Sequence, residues 1–167
     1  MMIMEKYLRL LNPKTTNFDA MPGSGHDVLT ASDVCVAMSF AKLTPVQDEL
    51  IRLKALNQNT FDDIEKALTV LRPYFDKCIF EKINQLCCDS VDKAVVLSLI
   101  EHCRVPAGYR PSVRSRAAIL GVSASEIQRK IKGLADELNK LIQLEMEIGL
   151  SKINNQLKNQ NKYDLIT

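Results

Sequence analysis

Apolar residues along this chain fall mostly at steps of three and four, the spacing of one face of an α-helix. The longest run is Ile127, Ile131, Leu134, Leu138, Leu141 and Leu144, a stripe expected to lie against a core. Helix-start signals punctuate the pattern. Thr30, Thr44, Thr60, Asp89 and Ser123 are followed three residues later by Asp33, Gln47, Asp63, Asp92 and Glu126 respectively. In that spacing the N-cap oxygen accepts from the third helical N–H while the third side chain reaches back, at the end where the helix dipole favours acceptors. Pro45 follows Thr44 at the first helical position, where a missing N–H costs nothing. The pattern predicts helices at 2–11, 31–42, 45–57, 61–71, 73–87, 90–103, 112–120 and 124–148, with Pro73 starting a helix or kinking one. No stretch alternates like a strand between hairpin turns, so the expected class is all-α, a compact multi-helix domain.

Three regions follow from the same pattern. Residues 1–28 read as an N-terminal helix and a flexible arm, 29–148 as the helical domain, and 149–167 as a polar, disordered tail. The arm, "NPKTTNFDAMPGSGHDV", is rich in Pro, Gly, Asn, Thr and Asp without a period. Its GSGHD lacks the spacing and the following Lys of a phosphate loop. The tail, "KINNQLKNQNKYDLIT", is dominated by Asn, Gln and Lys. At 167 residues, 46% of them hydrophobic, the chain can bury one core but not several. The opening "MMIMEKYLRLL" is broken by Glu5, Lys6 and Arg9, and "AVVLSLI" falls far short of the roughly 20 residues a membrane span needs. A cytoplasmic protein without a membrane partner is expected.

Charge changes the picture by its distribution. The net value is only +2, yet Arg104, Arg110, Arg114, Arg116, Arg129, Lys130 and Lys132 cluster in a segment whose single acid is Glu126. Such clustering is the footprint of polyanion binding, and equally of a solvated helix face. The five cysteines, Cys35, Cys78, Cys87, Cys88 and Cys103, lie inside amphipathic segments and read as reduced, buried thiols. Only His102 with Cys103, and the adjacent Cys87 and Cys88, approach a zinc-ligand pattern, and neither has paired CxxC spacing. No metal or other cofactor is expected. Neither His26, in the arm, nor His102, read as a surface histidine, has a positioned acid to orient it as a general base. An enzyme with catalytic residues and a small-molecule substrate is therefore the least supported class.

The basic cluster contains the stretch "SRAAILGVSASEIQRKIKGL", from Ser115 to Leu134. A helix-turn-helix needs a small residue in its first helix, a glycine at the turn, apolar residues on either side of it and an N-cap for the second helix. Ala117, Gly121, Leu120 with Val122, and Ser123 fill those roles in order, and Ile127 falls where the second helix must bury a side chain. The misfit is Lys130, at a position often apolar in such motifs. Either the second helix is rotated, or the Lys130 stem lies along the seam. The alternative is a plain helical hairpin about 112–138 in which Gly121 is only a C-cap. As a DNA-binding motif, Ser125, Gln128, Arg129 and Lys132 would reach base edges or phosphates, with Arg129 the candidate guanine contact. Arg110, Arg114 and Arg116 would hold phosphates and set register.

Earlier in the chain, "LTASDVCVAMSFA" from Leu29 to Ala41, together with "NPK" at Asn12 to Lys14 and Pro22, resembles the amino-terminal region of the late-gene antitermination protein Q family of lambda-type bacteriophages. Pro13 and Lys14 match the family's first element, and Leu29, Asp33, Val34, Ala37 and Met38 match its Leu-Thr-x-x-Asp-Val-x-x-Ala-Met helix. The chain departs from that pattern where such proteins often carry paired CxxC motifs, since the corresponding interval is only "CRVPAGYRPSVRSR". The resemblance implies a protein of the bacterial host cytoplasm that binds double-stranded DNA near a late promoter. It also implies that the protein joins RNA polymerase holding its sigma factor and promotes terminator readthrough. Two other readings stay open: a helix-turn-helix repressor or activator acting only at its operator, and a helical interaction module that never touches DNA.

Overall fold

A computed structural model of the chain describes residues 31–55, 60–79, 88–104 and 110–163. Among these residues the fold is all-α, with six helices and no strand. They are α1 (Ala31–Phe40), α2 (Pro45–Ala55), α3 (Phe61–Cys78), α4 (Cys88–Arg104) and α5 (Val113–Leu120). The last helix, α6, runs without a break from Ala124–Glu126 through a π-helical turn at Ile127–Ile131 into Lys132–Tyr163. The helix expected at 2–11, the arm with its GSGHD, His26, and the Asn12–Lys14 and Leu29 portions of the family resemblance lie outside the described residues.

Helix α6 is the spine. Helices α1, α2 and α4 all pack on it, α3 fills the space against α2 and α4, and α5 sits over the start of α6 and against α4. The core between them is made by Leu50, Ile51 and Leu53 of α2, Leu71 and Phe75 of α3, Val95, Leu97 and Leu99 of α4, and Ile131, Leu138 and Ile142 of α6. Each such burial is worth about 1.5–3 kcal/mol over exposure. From the Leu-Thr-x-x-Asp-Val stretch, Val34 and Ala37 are buried and Met38 packs on the core, so that element presents its apolar side inward.

Local signals set the helix ends where their partners are present. Thr60 and Asp63 form a reciprocal capping box, with Asp63 N–H on Thr60 Oγ1 at 3.2 Å and Thr60 N–H on Asp63 Oδ2 at 3.1 Å. The Thr60 hydroxyl, donating to Asp63 Oδ2 at 2.6 Å, and then the Thr60 N–H hold the Asp63 carboxyl below its ordinary pKa. Thr44 and Gln47 repeat the arrangement. Asp89 and Asp92 instead lie within α4 and carry ion pairs, Asp89 with Lys93 and Asp92 with Arg72.

Four expectations give way in the structure. The break at Pro73 does not occur, since α3 runs from Phe61 to Cys78 with Pro73 inside it. Ile64, Ala67, Leu71 and Phe75 are buried on both sides of the proline, which itself faces solvent, so one continuous apolar face outweighs one lost hydrogen bond. The tail expected from 149 continues as helix to Tyr163 because Ile153 and Leu157 extend the buried stripe through the polar composition. The stripe itself passes through Ile142 and Met146 and leaves Leu144 52% exposed. The cysteines are also less buried than expected: Cys35, Cys78 and Cys88 are exposed and Cys103, packed against the core, is half-buried, while Cys87 lies outside the described residues. Among the described residues no cluster of His, Cys, Asp and Glu could hold a metal ion, and no helix is long and apolar enough to cross a membrane.

Two contacts along α6 fix its neighbours closely enough to test. Gly149 is buried where α2 crosses, and a Cβ there would meet Ile51 Cδ1 at 2.9 Å and Gln47 Cβ at 3.3 Å. Gly149→Val is expected to push α2 off α6 and to cost about 1–3 kcal/mol in urea denaturation, the usual penalty for overpacking. His102 is half-buried rather than a surface residue, its Nε2 3.1 Å from the Leu50 carbonyl oxygen. Burial first, then Lys54, pushes its pKa down to about 4 from 6.5. The unfolded chain therefore takes up this proton before the folded one, and stability falls as pH drops from about 6.5 to about 4 and is flat above. Between about pH 7.5 and pH 5 the loss due to His102 should be about 2 kcal/mol. His102→Gln should remove that part of the slope, and an unchanged pH profile would contradict the assignment.

Candidate nucleic-acid interface

The hairpin of α5 and the start of α6 is built by four short-range devices. Ser112 caps α5, its Oγ accepting from Ser115 N–H at 3.1 Å. Gly121 ends α5 in the left-handed conformation, φ 65° and ψ 28°, which glycine adopts without a Cβ penalty. Val122 N–H then donates back to the Ala117 carbonyl at 3.1 Å, satisfying a carbonyl at the helix end. Ser123 starts α6 by accepting from Glu126 N–H at 3.1 Å. Ala117 and Ile127 are buried, and Leu120 and Val122 pack against the core, contacts that pin the two helices on either side of the Gly121 C-cap.

The Ser123–Glu126 capping box is only half made. The Glu126 carboxylate turns to Lys93 Nζ at 3.2 Å and so ties the turn to α4. Asp89 first, then Glu126, holds the Lys93 ammonium above its ordinary pKa.

The principal correction concerns Arg116, expected at DNA phosphates. It is only 6% exposed and points inward. Its Nε and Nη2 donate to the two oxygens of Glu101 on α4 at 2.7 and 2.9 Å, and its Nη1 donates to Asp136 on α6 at 2.8 Å. Asn139 Nδ2 adds a bond to Glu101 Oε2 at 2.8 Å. Burial works against the guanidinium charge, but the carboxylate bonds outweigh it and carry the Arg116 pKa above its ordinary value. The residue is thus unavailable to phosphates and locks α5 in place.

The other sequence-selected residues divide. Arg110, Arg114, Ser125, Gln128 and Arg129 are exposed, and Lys132 is half-buried. Lys130, the apparent misfit, is exposed, with Ile127 and Ile131 fully buried on either side. The reason is the π turn, in which Lys132 N–H bonds to the Ile127 carbonyl, five residues back. The turn holds one residue more than an α turn, so Ser125, Gln128, Arg129 and Lys132 do not share the face that regular helical spacing gives them. Within the described residues Arg110, Arg114, Arg129, Lys130 and Lys132 form no ion pair, whereas Arg52, Arg72, Lys93 and Arg116 do. Among the described residues, the exposed cations of this hairpin are therefore not compensated by ion pairs.

Arg116→Ala is expected to lose about 3–5 kcal/mol, since it strands a buried carboxylate. Replacing Arg116 and Glu101 together by Met should recover most of that loss in denaturant titrations, and a double variant no better than the single would sink the ion-pair account. Comparison of the chain with protein families, with characterised proteins and with solved structures finds no match.

Proposed function

We propose that the chain is a phage transcription antitermination factor that loads on late-promoter DNA through a helix-turn-helix at about 112–138. There it joins host RNA polymerase with its sigma factor and promotes terminator readthrough. The observation that carries the DNA-binding part is the α5–α6 hairpin, whose Arg110, Arg114, Arg129 and Lys130 are exposed and unpaired among the described residues. A capped turn bearing cations that are unpaired among the described residues suits phosphate contact, and the second helix is the element that enters a major groove in such motifs. The antitermination part rests on the resemblance at Asn12–Lys14 and Leu29–Ala41. It is supported by apolar surface left for a protein partner: Phe40 is 64% exposed on α1, with Val36 beside it, and Leu144 and Ile148 are exposed on α6.

In vitro transcription from a late promoter through a terminator tests both parts. The protein should raise readthrough, and Arg129→Ala should lose most of that effect while melting at the parent's temperature. Repression at the promoter without readthrough would replace this reading with an operator-bound repressor.

A further inference from the structure

We infer that the surface of α6 that meets duplex DNA is Ser125, Arg129, Lys130 and Gly133, and that Gly133 is where the DNA backbone comes closest to the helix. The inference rests on the DNA-binding part of the proposed function and names the contact surface of that site. The extra residue of the π turn at Ile127–Ile131 rotates the segment before it by about one residue's step, roughly 100°, relative to the segment after it. In an unbroken α-helix Ser125 would align with Lys132, seven residues on. After the shift it aligns with Arg129 and Lys130 one turn on and with Gly133 a turn beyond. The exposures accord with that shifted register at its ends: Ser125, Arg129, Lys130 and Gly133 are exposed, as is Gln128 between them, whereas Lys132 is half-buried and Ile127, Ile131 and Leu134 are buried.

Gly133 supplies an independent observation. A glycine inside a helix is destabilising relative to alanine, so it calls for a reason. Gly149, further along the same helix, has one in the close approach of Ile51 and Gln47. Gly133 has none among the described residues, since a Cβ built there meets nothing of them within 4 Å, and its φ is not in the left-handed region. An exposed helical glycine with open space above it, one turn beyond Arg129 and Lys130, lets a phosphate-sugar backbone approach more closely than any side chain would allow.

The test compares Gly133→Ala, Gly133→Gln, Lys130→Ala and Lys132→Ala with the parent, by thermal melting and by anisotropy titration of a short random-sequence DNA duplex at several salt concentrations. Gly133→Ala should melt above the parent and bind the duplex more weakly. Gly133→Gln should lose about tenfold or more in affinity, comparable to losing one good contact. Lys130→Ala should reduce the salt slope by about one, and Lys132→Ala by less. Parent-like binding by Gly133→Gln, or a larger effect at Lys132 than at Lys130, overturns the inference while duplex binding itself stands. A parent chain that fails to bind the duplex in low salt overturns the DNA-binding reading and this inference with it.

Discussion

The placement of the hairpin depends on one buried ion pair. Helix α5 has eight residues, and its apolar contacts, Val113, Ala117 and Leu120, are too few to fix its angle against two neighbours. Arg116 does so because a guanidinium fork is planar and directional: two of its bonds set α5 against α4 through Glu101, and the third sets it against α6 through Asp136. Burying such a charge is costly, and the arrangement persists because all three guanidinium bonds end on carboxylate oxygens and the buried acceptor, Glu101, is held by Asn139 as well. With Arg116 turned in, Arg114 on the same helix is left facing out. The basic character of the exposed side is therefore a consequence of how the inner side is neutralised.

A second polar node holds the middle of α6. Glu145 accepts from Gln47 Nε2 at 2.7 Å and from Tyr74 Oη at 2.6 Å, joining α2 and α3 to the spine. Burial, then the bond to Glu145, raises the Tyr74 pKa, so the phenol stays a donor across the physiological range. Lys152 completes the node by donating to Gln47 Oε1 at 2.8 Å and to the Lys42 carbonyl at 3.3 Å. Lys42 is itself in the left-handed region, φ 48°, and that bond helps hold the chain reversal between α1 and α2. Apolar layers fill the space between the two nodes, so α6 is oriented by directional bonds at separated points and stabilised by burial between them.

How far the sequence disclosed this follows the range of each signal. Helix class, the caps at Thr44, Thr60 and Ser123 and the left-handed Gly121 were legible because each depends on residues within four positions. Arg116 was not, because its partners lie on other helices. Glu101 and Asp136 fall just outside the basic stretch 104–132, so a count of charge along that stretch met one acid where the fold supplies two more. The continuity of α3 through Pro73 and of α6 beyond residue 148 was hidden for a related reason. A proline or a polar composition is a local signal, and the burial of Phe75, Ile153 and Leu157 that overrides it is not.

The π turn lies between these cases. Lys130 at an apolar-looking position was a sign of altered register that periodicity could register but not resolve, since rotation of the helix and a buried lysine stem fit the same letters. The structure resolves it by widening one turn so that Ile127 and Ile131 both stay buried while Lys130 faces out. Such a turn and an exposed helical glycine at Gly133 both cost stability. They can persist in one stretch of α6 because that stretch is held by the Arg116 network through Asp136 and Asn139, by Ser98 Oγ on the Ala135 carbonyl at 3.3 Å, and by the burial of Ile131, Leu134 and Leu138. The irregular backbone on the outer side of this stretch is thus kept in place by packing and hydrogen bonding on its inner side.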